Sequence, residues 1–172
     1  VNGALYQCLA HGISTGGLFL CVGVLYERRH TRRMEEFGGL WKRMPVFAAF
    51  LLIFTMASIG LPGLSGFVGE FLIIIGTFSA DKAGVGMPQI FAHTTLLTPF
   101  AVSGVVFGAV YMLTLFQRVM LGPLTNPQNK KLNDLSSREI WVLAPMLAMA
   151  FWLGVCPKTF LKDIDPAVTA TL

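Results

Sequence analysis

One side chain in this sequence stands among residues that do not suit it. Glu70 is the sole ionisable residue in an apolar stretch from Met44 to Ala80, MPVFAAFLLIFTMASIGLPGLSGFVGEFLIIIGTFSA. A carboxylate in a hydrocarbon setting costs several kcal/mol. It needs a partner, a water-filled cavity or a proton. Shortly before it stands Leu61-Pro62-Gly63-Leu64-Ser65-Gly66, a run that breaks helices. The amide end of a helix starting near Ser65 and Gly66 favours the charged form of an acid, and a low dielectric disfavours it. Such opposed influences leave a carboxylic acid able to load and release a proton near neutral pH. The alternative is a structural glutamate satisfied by hydrogen bonds or by headgroup water.

His11 is the second candidate. Imidazole titrates near physiological pH, yet a lone histidine in a helix bundle is often a hydrogen-bonded packing residue. The hydroxyls of Thr55, Ser58, Ser65, Thr77, Ser103, Tyr111 and Thr114 can hold water or bridge helices. Packing, or bonding back to their own helix, is the simpler reading of each. His30 lies in a solvated loop. Cys8, Cys21 and Cys156 have no CxxC spacing and read as buried packing thiols. No HExxH, no phosphate-binding glycine loop, and no haem or iron–sulfur cysteine pattern occurs. Redox and hydrolytic centres therefore find no ligands in this sequence, and no cofactor or metal is expected in the chain.

The elements that position these residues follow from composition. Hydrophobic residues make up 54% and charged residues 13% of the 172, a balance that excludes a soluble domain and implies an integral membrane protein. A bilayer core about 30 Å thick takes roughly 20 apolar helical residues. Four stretches satisfy this: about 3–26, 44–80, 97–118 and 139–156. The expectation is one all-α membrane domain over 1–172, a polytopic bundle of four transmembrane helices. The second stretch is too long for one straight crossing and too short for two joined by a polar turn. It reads as a helix broken at Leu61, Pro62, Gly63, Ser65 and Gly66. Unwound backbone at membrane depth occurs where protein or a wet cavity shields it, as at transporter sites.

Pairs of glycines four apart, Gly12/Gly16 and Gly104/Gly108, predict close helix approach. Ser136 and Glu139 fit a capping box opening the fourth helix. A mildly polar loop is predicted from Asp81 to about Leu96, and a short polar tail after Val155. With four crossings, one side receives Arg28, Arg29, Arg32, Arg33, Lys42, Arg43, Arg118, Lys130, Lys131 and Arg138. The other receives only Lys82, Lys158 and Lys162. That bias puts the first side inside and the C-terminus outside. The arginine-rich loop is expected to set topology and to meet anionic headgroups. The net charge of +4 is thereby a matter of orientation, and no nucleic-acid partner is inferred. The start, Val1, lacks a charged region with a cleavage site, so no signal peptide is expected. It reads as the interior of a longer polypeptide. No lysine or arginine lies in the interior of any of the four stretches, Arg118 standing at the end of the third, so a cationic partner of Glu70 would come from outside this chain or from a missing part of it.

With those residues placed, a resemblance becomes specific. Ala10-His11-Gly12-Ile13, Leu18-Phe19-Leu20, Gly23-Val24-Leu25-Tyr26-Glu27-Arg28, His30-Thr31-Arg32, Gly38-Gly39-Leu40, Gly60-Leu61-Pro62-Gly63 and Gly66-Phe67-Val68-Gly69-Glu70-Phe71 are similar to the antiporter-like membrane subunits of respiratory complex I. The M type, counterpart of mitochondrial NADH dehydrogenase subunit four, fits best. The L type and many related antiporter chains carry a lysine where Glu70 stands. The motifs cover about 10–71, and the remainder agrees in helix placement.

The resemblance implies a fourteen-helix fold with two inverted five-helix repeats, of which this chain supplies the last four helices. It makes Glu70 the terminal acid of a half-channel to the outside and puts His11 on the hydrated line leading to it. The family's central lysines and the acidic partner of the first repeat are not in this sequence. Proton translocation in NADH:quinone oxidoreductase is the implied function. NADH, FMN, iron–sulfur clusters and quinone then belong to the parent complex. The implied partners are the N-terminal remainder of the same subunit, L-type and N-type neighbours, and lipids. The implied location is the bacterial or mitochondrial inner membrane, with the C-terminus on the periplasmic or intermembrane side. Two competing readings are a subunit of a multi-subunit cation/proton antiporter and a structural scaffold in which Glu70 is merely tolerated.

Overall fold

The computed structural model describes residues 1–80 and 94–171. Six α-helices follow in order: α1 Asn2–Arg29, α2 Pro45–Ile59, α3 Ser65–Ala80, α4 Thr94–Phe116, α5 Ser137–Val155 and α6 Lys158–Thr171. Among the described residues there is no strand. A π-helical turn, Gln117–Leu121, prolongs α4. Most of the predicted loop from Asp81 to Leu96, with Lys82 and His93, lies outside the described residues.

The segments Asn2–Arg29, Leu97–Leu121 and Ser137–Val155 are each long and apolar enough to cross a membrane. They are the first, third and fourth predicted crossings. The second is two helices of 15 and 16 residues, about 22 and 24 Å at 1.5 Å per residue. Each alone falls short of a bilayer core. Outward faces are apolar too: Phe19, Phe100, Phe107 and Trp141 are 69–77% exposed. Helices that are apolar all round belong in lipid or against other membrane helices. This chain is an integral membrane protein.

The core follows from the inner face of α1. Gly3, Tyr6, Ala10, Ser14, Gly17, Cys21 and Val24 are buried, three or four positions apart, as one face of a helix requires. That face packs on α2, α3 and α5. The Phe54 ring of α2 fills the space that a side chain at Gly17 would need. The fully buried Tyr6 hydroxyl donates to the Leu153 carbonyl of α5. The larger apolar cluster joins Leu25, Met44, Phe47, Phe54, Met120 and Leu143.

One end of the bundle is tied by polar groups from the two basic loops. The predicted capping box is present: the Ser136 hydroxyl accepts from the Glu139 amide, and the Glu139 carboxylate accepts from the Ser136 amide. Glu139 also takes both terminal nitrogens of Arg28, at 2.6 and 2.9 Å, and Arg28 donates further to the Asn133 and Asp134 carbonyls. Pro45 at the first turn of α2 has no N–H to offer. The next two amides, Val46 and Phe47, donate to the Asp134 carboxylate at 2.8 and 3.0 Å. Glu36 ties the loops again, accepting on its carbonyl from Asn126 and Asn129.

Several expectations need correction. Arg28 and Arg29 are not free for headgroups, because Arg28 is committed to Glu139 and Arg29 to Gln128 and Glu36. The polar tail is a helix. Phe160, Leu161, Ile164 and Val168 recur along one side of α6, and charges occupy the other, a pattern the presence of Lys158, Lys162, Asp163 and Asp165 masks. The ring of Phe160 meets Trp152 edge-on at 5.7 Å, and Asn2 donates to Asp165. Cys21 is buried, but Cys8 and Cys156 are exposed. Of the paired glycines only Gly16 meets another helix, with Met146 of α5 2.8 Å from where its Cβ would stand. Gly12 and Gly104 have nothing within 4 Å.

Candidate functional site

The break between α2 and α3 is built by a C-terminal cap. Gly60 takes the left-handed conformation, φ 81° and ψ 39°. The Leu61 amide reaches back to the Met56 carbonyl at 3.0 Å and the Gly60 amide to that of Ala57 at 3.3 Å. These two bonds are the Schellman arrangement, which satisfies carbonyls left over at a helix end and favours glycine at the left-handed position. Pro62 follows, where a helix cannot resume. The Leu64 amide then turns back to Leu61 at 3.0 Å, with Gly63 at φ 91°. Leu61, Pro62 and Gly63 are therefore outside helix, as predicted. Ser65 and Gly66 are not: they open α3. The break starts one residue earlier than predicted, at Gly60, because the cap glycine terminates the helix.

Two close contacts brace the unwound segment. Gly66 is pressed against the Ala57 carbonyl and Gly60, so the first turn of α3 sits on the last turn of α2. Gly154 of α5 rests on the Gly63–Leu64 peptide so closely that no Cβ fits. Leu64 is buried, whereas Leu61, Pro62 and Gly63 are exposed among the described residues, and at membrane depth such backbone needs water or further protein around it.

Glu70 lies in the second turn of α3 and is half-buried. Its carboxyl carbon is 2.9 Å, and its Oε1 3.3 Å, from where a Cβ on Gly60 would stand. The acid therefore folds back onto the break. Its hydrogen-bond donor is Gln7 of α1, Nε2 to Oε1 3.4 Å. Among the described residues, Glu70 takes part in no ion pair. The helices α1 and α3 approach closely here. Gln7 Cα is 2.8 Å from where a Gly69 Cβ would stand, and Leu72 Cβ is 2.8 Å from where a Gly3 Cβ would stand.

His11 is one turn beyond Gln7 on α1, exposed. Its carbonyl accepts from Ser14 and Thr15. The structure brings the break and Glu70 together, and it brings Gln7 rather than His11 into contact with the acid. Gln7 was detectable in principle: it is an amide within an otherwise apolar run, the same kind of anomaly as Glu70. Thr77, Ser103 and Thr114 bond back to Ile73, Phe100 and Val110 in their own helices. Thr55 and Ser65, flanking the break, are different. Both are fully buried, and neither hydroxyl has a hydrogen-bond partner among the described residues.

Comparison with known proteins fits this arrangement. The chain is 44% identical over 168 residues to NADH-quinone oxidoreductase subunit M of Rhodobacter capsulatus, a match covering 98% of this chain and 30% of that protein. It is 38% identical over 164 residues to NADH-ubiquinone oxidoreductase chain 4 of Chondrus crispus, covering 95% of this chain and 31% of that one. The chain thus spans about a third of the length of the curated relatives it matches. Among solved structures, a chain of respiratory complex I from Thermus thermophilus with bound NADH superposes with a TM-score of 0.80 at 34% identity. That match covers 96% of this chain and 32% of the other. Residues 1–98, more than half of the sequence and including the whole helix break, match the model of the NADH:quinone oxidoreductase/Mrp antiporter transmembrane family, and the chain belongs to that family.

Proposed function

We propose that this chain is part of a proton-translocating membrane-arm subunit of an NADH:quinone oxidoreductase, and that Glu70 is the acid that loads and releases the proton. One observation carries the reading. The Glu70 carboxyl lies on the capped end of a broken helix, with an uncharged amide as its hydrogen-bond donor and without an ion-pair partner among the described residues. An acid so placed is free to change protonation when charge changes nearby, because Coulomb coupling is strong at low dielectric. Relatives named as oxidoreductase subunits support the redox-linked setting.

In this reading the chain supplies the C-terminal part of a longer subunit. Its four crossings are helices at about 3–26, 44–80, 97–118 and 139–156. Glu70 ends a half-channel to the outside. The unpaired hydroxyls of Thr55 and Ser65 are groups that hold water at the break, since buried polar atoms recruit water where protein offers no partner. His11 lies farther along the same route. NADH, FMN, iron–sulfur clusters and quinone belong to other parts of the complex, and the neighbours of this chain are the rest of its own subunit, L-type and N-type subunits, and lipid. The membrane is a bacterial or mitochondrial inner membrane, with the C-terminus on the periplasmic or intermembrane side. The family also contains cation/proton antiporters. Co-purification with flavin and iron–sulfur subunits separates that alternative from the proposal.

The test is Glu70→Gln in the intact complex, reconstituted in sealed vesicles. The proposal expects a loss of quinone-driven proton pumping of at least tenfold with the complex assembled. Pumping at the unmodified level would leave Glu70 a structural residue and end this reading.

A further inference from the structure

We propose that Gln7 is a positioning residue that holds the Glu70 carboxyl and sets its proton affinity by turning its amide over as the acid changes charge. The inference rests on the reading of Glu70 given above. Its grounds are three features of the α1–α3 contact. Gln7 Nε2 is 3.4 Å from Glu70 Oε1, and it donates to it. The other amide atom, Gln7 Oε1, is buried without a partner among the described residues. Gly69 carries no Cβ, and any Cβ there would collide with Gln7: its Cα would be at 2.8 Å and its Cβ at 2.9 Å. Gly69 is thus what admits Gln7 to the acid.

An amide suits this position because it carries both donors and acceptors. Its NH2 group donates to a carboxylate. After half a turn about its last side-chain bond, its oxygen accepts from the O–H of the protonated acid. Each form of Glu70 then has a partner, and the acceptor now unpaired is used in the protonated form. Leaving a buried donor or acceptor without a partner is costly. A two-way amide avoids that cost for the acid in both states, with the other end of the amide unpaired in each.

Gln7 is the side chain that hydrogen-bonds the acid among the described residues. On α1 the titratable residues around it are Tyr6, whose hydroxyl is engaged by Leu153, Cys8 and His11. The helix α2 and the rest of α3 carry none. In α4 the one such group is Tyr111. In α5 they are Arg138 and Glu139, at the end opposite to Gly154. On α6, which packs on α1, the charged groups are Lys158, Lys162, Asp163 and Asp165, and Asp165 accepts from Asn2.

The test uses Gln7→Met and Gln7→Glu in the intact complex, with pumping followed across pH. Methionine keeps length and burial and removes the amide. Losing a donor to the carboxylate disfavours the charged form. Pumping by Gln7→Met is therefore expected to fall threefold or more at neutral pH, with its pH profile displaced by about one unit toward alkaline values. A profile identical to that of the unmodified complex overturns the inference. Gln7→Glu keeps hydrogen-bonding length but makes two touching carboxyls, which titrate as a pair. Its profile is expected to split into two steps, and an unsplit, unmoved profile also overturns the inference, even where Gln7→Met does not assemble. Glu70→Gln distinguishes the two failures. If it abolishes pumping while both Gln7 variants behave normally, Glu70 stands and Gln7 falls.

Discussion

Gly60 and Gly63 separate two effects that a glycine can have. Both have positive φ, 81° and 91°, so alanine at either costs about 1 kcal/mol of backbone strain. Beyond that they differ. A Cβ on Gly63 meets nothing within 4 Å, whereas a Cβ on Gly60 drives into the Glu70 carboxyl. Gly60→Ala is expected to lower proton pumping by roughly tenfold, and Gly63→Ala by less than twofold, in vesicles carrying the assembled complex. Equal losses would mean that strain, not displacement of the acid, is what matters. The acid and Gly63 were legible in the sequence because each is an anomaly in an apolar run, whereas Gly60 was not, since nothing local shows that the helix is capped one residue before Leu61. Gln7 was not singled out, since an uncharged amide is a weaker anomaly than a carboxylate, and the α1–α3 contact is what reveals the acid it faces.

At the scale of the element, helix ends decide more than helix middles. The opening of α2 depends on Asp134, which supplies acceptors to Val46 and Phe47 where Pro45 cannot donate. Losing a cap costs about 1 kcal/mol, within a range of roughly 0.5–2. Asp134→Ala is expected to lower the thermal midpoint of the purified assembly measurably, with Asp134→Asn, which keeps one acceptor, intermediate. Ser136→Ala should cost about the same as Asp134→Ala, because the Ser136 hydroxyl is the cap of α5. No change in either alanine variant would show that lipid and neighbouring helices, not caps, hold these ends. The Ser136–Glu139 box was readable from spacing alone. The Asp134 cap was not: it joins residues 87 and 88 positions apart, and no local pattern encodes such a pairing. The helix α6 went unrecognised for a different reason. Its period was present, but its charges and its place after an apolar run made it read as a tail.

For the whole molecule, the described contacts agree with the alternation of loops that charge bias implies. Residues from both basic loops meet at one end, through Arg28, Asp134, Glu36 and Glu139. The start of α1 meets α6, through Asn2 and Asp165, at the other. In a variant with Cys8, Cys21 and Cys156 replaced by alanine, single cysteines at Lys130 and Lys162 should react with an impermeant thiol reagent from opposite sides of a sealed membrane. Position 130 is expected to label from the cytoplasmic or matrix side. Labelling of both from one side would refute the topology. The crossings were legible because hydrophobic length is a direct consequence of bilayer thickness. The contacts among their polar ends were not, because they depend on how helices pack once inserted.

The acceptor for the first free amides of α2 lies in the stretch between α4 and α5. A ribosome delivers α2 well before it delivers residue 134. During that interval the Val46 and Phe47 amides lack the Asp134 carboxylate that accepts from them in the folded chain. A chain cut before residue 134 would keep both amides without that acceptor.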